Sequence, residues 1–157
     1  MTANVIAAPH PKPAPTISAY NKPYWDAARE HELRLQRCAG CGKFWAPPGP
    51  LCPLCFSGEF TWERASGQGV ITSLVTFHKS YHPQFDNDLP LAAALVELAE
   101  GPRLITNIVQ ADGAPLVSGM PVEVVFEDHG DFTLPQFRPV RPSGIPASGT
   151  RPPTPQG

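Results

Sequence analysis

From residue 67 onward, apolar and polar positions alternate with period two, and five strand-like runs follow before residue 140. The first, GVITSLVTFH at residues 69–78, sets Ile71, Val75 and Phe77 on one face and Val70 and Leu74 on the other. LAAALVEL (91–98) and LITNIVQ (104–110) flank a hairpin signal at Gly101-Pro102. Residues 121–127 place Val122, Val124 and Phe126 inward and Glu123, Val125 and Glu127 outward. The last run, 132–140, contains Pro135, which assigns it to an edge or a bulge. Five short strands with glycine at the corners predict a small closed barrel of the oligomer-binding (OB) type over residues 65–140.

The first half of the chain has a different pattern. Residues 18–32 read as a helix with Asn21 as cap, Pro23 in the first turn and Asp26 where the helix dipole favours an acid. Tyr24, Trp25 and Ala28 give it one apolar patch, which needs the following domain or another chain to cover it. LRLQRC, at 33–38, alternates as a strand and leads into a segment holding all four cysteines. Residues 1–17 and 141–157 are rich in proline, which blocks helix, and read as mobile extended tails or as arms lying along a partner.

Cys38, Cys41, Cys52 and Cys55 form two C-x2-C pairs whose spacing suits one tetrahedral metal, with residues 33–64 as a metal ribbon. Gly42 supplies the positive φ that turns backbone amides toward the first sulfurs. The second turn lacks a glycine there: Phe56 follows Cys55, and Gly58 is the residue expected to absorb the strain. Four thiolates leave no open coordination position, so the metal is structural, with zinc favoured over iron. The competing reading is a redox dithiol or a disulfide pair.

At 157 residues the chain accommodates a small metal module and one compact domain. A net charge of −2 argues against a protein built to neutralise a nucleic-acid backbone. Basic residues concentrate between 11 and 43, whereas the barrel carries Glu97, Glu100, Asp112, Glu123, Glu127, Asp128 and Asp131. Neither a signal-peptide pattern nor an apolar run of about 20 residues is present, so the expected location is the cytoplasm.

With the cysteines assigned to metal, no nucleophile in a catalytic setting remains. His78 and His82 fall in the polar loop HKSYHPQFDNDLP (78–90), Ser73 and Ser80 lack a glycine-framed elbow, and there is no phosphate loop or dinucleotide fingerprint. The chain is therefore read as having no catalysis of its own. Tyr81 and Phe85 in that loop are apolar anchors for a ligand or partner.

These segments also resemble a known family. Trp25, the L-x-L-x-R-C run, C-x2-C-G at 38–42, APP at 46–48 and LCPLC at 51–55 match its first half. ASGQGVITS (65–73), ALVEL (94–98), EGPRLITN (100–107), GMPVEVVF (119–126) and LPQFRP (134–139) match its second. Over residues 24–140 the chain resembles the zinc-ribbon OB-fold proteins catalogued as domain of unknown function thirty-five. The resemblance implies a small, mainly β protein: an N-terminal helix, a rubredoxin-like zinc ribbon and a five-stranded OB barrel. It also implies an accessory subunit, partnered with thiolases or acyltransferases, sterol side-chain aldolases of thiolase fold, or hot-dog-fold hydratases, that helps bind the CoA part of a thioester within a hetero-oligomer.

On that reading Arg34, Arg37 and Lys43 meet CoA phosphates, Phe44 or Trp45 stacks on adenine, and Tyr24, Trp25, Tyr81 and Phe85 touch the partner. A second class is a single-stranded nucleic-acid binder, which requires a basic groove interleaved with aromatics. A third, an autonomous acyl-CoA hydrolase or transferase, requires a nucleophile that the sequence lacks.

Overall fold

All five period-two runs are strands in the computed structural model, which describes residues 4–8, 10–109 and 113–140. Their order is β5 (Gln68–Phe77), β6 (Leu91–Leu98), β7 (Arg103–Asn107), β8 (Pro121–Asp128) and β9 (Thr133–Pro139). Before them come β1 (Val5–Ala7), α1 (Lys22–Arg29), β2 (Arg34–Cys38), β3 (Phe44–Trp45) and β4 (Phe60–Arg64). The C-terminal tail, Pro9, Gln110 and Asp112 lie outside the described residues.

The barrel runs β7-β6-β5-β8-β9, all antiparallel, and closes where Phe137 of β9 meets Ile108 in a parallel bridge just beyond β7. Val109 N–H donates to the Phe137 carbonyl at 2.7 Å to seal that junction. Pro135 fits because the ladder alternates. Phe126, its partner on β8, donates its N–H to Asn4 on the other side, so the position facing Pro135 needs no donor.

Two inward and outward assignments are corrected. In β5 the pairing with β6 skips Thr72, a bulge whose hydroxyl bonds the Leu95 carbonyl at 2.9 Å. The extra residue inverts the alternation, so Ile71 and Leu74 point to the core while Val75 is half exposed. In β8, Val125 and Glu127 are buried at 0% and 3% exposure. Glu127 is covered by the N-terminal arm, whose Lys12 ammonium lies 2.8 Å from it.

The described part of that arm is docked on the barrel. Val5–Ala7 pairs in parallel with Phe126–Asp128, and His10 and Lys12 reach Asp88. Asp88 ends a 3-10 helix at Pro83–Asp88, in the stretch expected to be plain loop, with His82 Nδ1 accepting from the Gln84 amide.

The N-terminal helix is shorter than residues 18–32. Asn21 stands at its N-cap, but the side chain turns back to accept from Ser18 N–H and donate to the Thr16 carbonyl. Asp26 lies a turn inside the helix and pairs with Lys22 instead of facing the dipole. The helix ends in a Schellman turn: His31 at φ 57° and Glu32 donate back to Ala28 and Ala27.

His31 then grips Asp128 of the barrel at 2.9 Å. Burial acts to raise the Asp128 carboxyl, but hydrogen bonds from Thr133 and His31 outweigh it and hold the group below the usual carboxylate range. A depressed folded value contributes stability above the unfolded pKa of about 3.9 and loses it as pH falls through the folded value. The helix end is therefore expected to loosen below about pH 4, by only about 0.5–1 kcal/mol because Asp128 is partly solvated. Amide exchange at residues 27–32 against pH, with Asp128→Asn abolishing the dependence, tests this.

Ala28, Leu33 and Leu35 share one core with Ile71, Val96, Phe126 and Phe137. Helix, ribbon base and barrel are thus packed as a unit. Gly69 fixes how closely β5 and β6 approach, since a Cβ there would lie 2.6 Å from Val96 Cγ1 and 2.7 Å from the Glu97 carbonyl oxygen. Gly69→Ala is expected to cost about 1–3 kcal/mol of unfolding free energy, and Gly49→Ala, with open space around it, about 0.5 kcal/mol or less.

Candidate metal centre and adjoining cleft

β2 pairs with β3 and β4 to form the three-stranded ribbon that carries the cysteines. Each C-x2-C turn is a tight knuckle. Gly42 N–H donates to the Cys38 carbonyl and Phe56 N–H to the Cys52 carbonyl, both at 2.9 Å. Gly42 has φ 72° and Phe56 φ 61°, so Phe56 itself adopts the left-handed conformation and Gly58 absorbs nothing. Phe56 is also 74% exposed.

The four sulfurs lie within 4.8 Å of one another, with Cys38–Cys55 at 3.4 Å and Cys41–Cys52 at 3.7 Å. A tetrahedron with bonds of about 2.3 Å to sulfur has edges of about 3.8 Å, so the donor set fits one tetrathiolate metal. None of the four is in a disulfide. The Cys41 amide, donating to Cys38 Sγ at 3.4 Å, and then the Cys55 and Gly40 contacts hold the Cys38 thiol down at about 6. At Cys55 the Ser57 amide pulls the other way, but the neighbouring Cys38 sulfur and burial prevail and push it up to about 11. A bound cation would resolve this contest by taking both sulfurs as thiolates.

The proposed CoA set divides in space. Arg34 is bound by Glu32 at 2.8 Å, and Glu32 is held below its usual range first by that hydrogen bond. Arg37 pairs with Glu63 at 3.3 Å and lies 5.4 Å over the Phe44 ring. Lys43, Phe44 and Trp45 line a cleft of about 600 Å³ between the ribbon and the β6–β7 hairpin. Lys43 is exposed and makes no ion pair among the described residues. Trp45 offers no stacking face: its ring is 5% exposed, packed with Cys38 and Cys52 and edge-on to Phe60 at 5.5 Å.

Ala46 and Arg103 also line a second cleft of about 600 Å³, which adjoins the first at those two residues. Its walls are mainly apolar and include Tyr24, Trp25, Leu104 and Ile105, the last 82% exposed. Tyr24 packs edge-on to Trp25 at 5.1 Å, and burial pushes its hydroxyl up to about 12. Tyr81 is 83% exposed, and Phe85 is half-buried beside His82 in the 3-10 helix. Sequence reasoning missed Gln36. Its buried amide bonds both backbone groups of Gly49 at 2.8 Å and so holds the loop that forms the Ala46–Pro48 wall. The sequence carries no signal for it, because the alternation of residues 33–38 sets Gln36 on the face opposite Leu33 and Leu35.

Comparison with known proteins agrees with this architecture. The family description "ChsH2, rubredoxin-like zinc ribbon domain" matches residues 25–61, and "ChsH2, C-terminal OB-fold domain" matches residues 62–127. The chain is 41% identical over 134 residues to a probable enoyl-CoA hydratase alpha subunit of Thermomonospora curvata, covering 83% of this chain but 41% of that protein. It is 31% identical over 112 residues to a DUF35 domain-containing scaffold protein of Methanocaldococcus jannaschii, covering 66% of this chain and 79% of that one. A solved chain titled Ltp2-ChsH2(DUF35) aldolase superposes with TM-score 0.71 at 39% identity, covering 80% of this chain and 98% of that chain. The chain belongs to the DUF35 family of zinc-ribbon OB-fold proteins.

Proposed function

We propose that this protein is a non-catalytic accessory subunit that docks on a thiolase-fold acyl-CoA enzyme of the aldolase type and helps enclose the CoA thioester. The observation that carries this reading is the likeness, over nearly the whole length of the solved chain, to the DUF35 chain of an aldolase. Two adjoining clefts support it, one with an exposed cation at Lys43 and the other with apolar walls that include Trp25 and Ile105, as an acyl-CoA with one anionic and one apolar end requires. A hydratase partner is the second reading, favoured by the hydratase alpha subunit relative. The metal is zinc, held by Cys38, Cys41, Cys52 and Cys55 as scaffolding.

Among the described residues no helix is long and apolar enough to cross a membrane. The test is isolation of the native complex, identification of the catalytic chain and assay of that chain with and without this protein. Loss of acyl-CoA turnover on removal is expected; undiminished turnover overturns the reading.

A further inference from the structure

We propose that Cys41 and Cys52 are a modification site for hydrogen peroxide, the pair through which oxidation opens the metal centre. This goes beyond the scaffolding role of the cysteines and does not depend on the acyl-CoA reading. The four sulfurs are not equivalent. Cys38 and Cys52 are buried, at 2% and 0% exposure, whereas Cys41 and Cys55 are exposed. Cys38 Sγ accepts two backbone amides, from Gly40 at 3.3 Å and from Cys41 at 3.4 Å, and the Ser57 amide is directed at Cys55. Among the described residues no backbone amide donates to the sulfur of Cys41 or Cys52.

An N–H held against a thiolate stabilises its charge and makes the sulfur a poorer nucleophile. Exposure decides which sulfur an oxidant reaches, and amide shielding decides how fast that sulfur reacts. Of the four, Cys41 is the one that is both exposed and unshielded. Cys52 Sγ lies 3.7 Å from it, buried beyond the reach of solvent but placed to resolve whatever forms on Cys41.

In the first step the Cys41 thiolate attacks one peroxide oxygen. An S–O bond forms, the O–O bond breaks, and the departing hydroxide is protonated to water. In the second step the Cys52 thiolate attacks the sulfur of the Cys41 sulfenic acid. An S–S bond forms, the S–O bond breaks, and a second hydroxide leaves as water. One peroxide is reduced by two electrons, one from each sulfur. Cys38 and Cys55 remain thiolates, a pair too small to close a tetrahedral site. Because Trp45 and Phe60 pack against Cys38 and Cys52, the change also reaches the core of the ribbon.

The test uses the full zinc-loaded chain without substitution, so no variant has to fold. A single equivalent of hydrogen peroxide is added, freed zinc is read with a chromogenic chelator, and the remaining thiols are alkylated and mapped by tandem mass spectrometry. The expected result is zinc freed in step with a Cys41–Cys52 disulfide, alkylation confined to Cys38 and Cys55, and rebinding of zinc after dithiothreitol. Before peroxide is added, iodoacetamide is expected to modify Cys41 about fivefold faster than Cys55, the factor that one shielding hydrogen bond supplies. A first disulfide in any other pairing, or equal alkylation of Cys41 and Cys55, overturns the assignment. Zinc retained with all four cysteines reduced under excess peroxide overturns the site itself.

Discussion

Replacing Cys52 or Cys38 with serine is expected to remove the metal and, with it, the folded ribbon. Both sulfurs are buried, at 0% and 2% exposure, and serine supplies a poor zinc ligand in a space shaped for a thiolate. Structural zinc contributes about 10–16 kcal/mol in isolated fingers, against a total stability of about 5–15 kcal/mol for an ordinary domain. No other interaction in the ribbon approaches this. Its remaining core is Trp45 and Phe60 packed against the two buried cysteines, so losing the metal also loses the centre of that packing.

The damage also spreads beyond the ribbon. Leu33 and Leu35 belong to the barrel core, and Leu33 accepts the Ala65 amide at 2.8 Å, so an unfolded ribbon exposes barrel surface as well. Metal content should fall from one zinc per chain to near zero, with a broadened, lower-temperature melt and aggregation. A metal-free Cys52→Ser protein that melts like the parent would refute the role assigned to the site.

The ribbon was legible because its determinants are local: the two C-x2-C pairs, Gly42 and the alternation of residues 33–38 lie within 23 residues. The barrel strands were legible from their period. What period two cannot report is a change of phase, and the Thr72 bulge made one, moving Leu74 inward and Val75 outward. Nor can it report cover from a distant segment. Glu127 reads as a surface acid because nothing near it in sequence reveals Lys12, 115 positions earlier, lying over it.

The cleft was half legible for the same reason. Lys43, Phe44 and Trp45 are consecutive and stood out, whereas Glu97, Glu100 and Arg103 join them only through the packing of hairpin against ribbon. The basic run from Arg34 to Lys43 suggested one cationic face. Residues 34 and 37 point to opposite faces of a strand and are taken up by different acids, Glu32 and Glu63, leaving Lys43 as the available cation.

Glu127→Ala is expected to destabilise the protein by about 3–5 kcal/mol and to release the N-terminal arm. Glu127 Oε1 lies 2.8 Å from Lys12 Nζ and 2.7 Å from His129 Nε2, and all three side chains are 8% exposed or less. Removing the carboxylate leaves the lysine buried with only Asp88, at 3.8 Å, as a counter-charge. The ammonium can escape that cost only by leaving with the arm, so β1 should detach from β8 and become sensitive to protease. Lys12→Met strands the carboxylate instead and should cost a similar amount. The double variant Lys12→Met, Glu127→Leu strands neither charge, because apolar groups of similar size replace both members of the pair. Its loss should be well below the sum of the two single losses, with a coupling of about 2 kcal/mol or more, and the arm should stay protected. Additive losses would mean that the arm is held by the three residues of β1 and not by the buried ion pair.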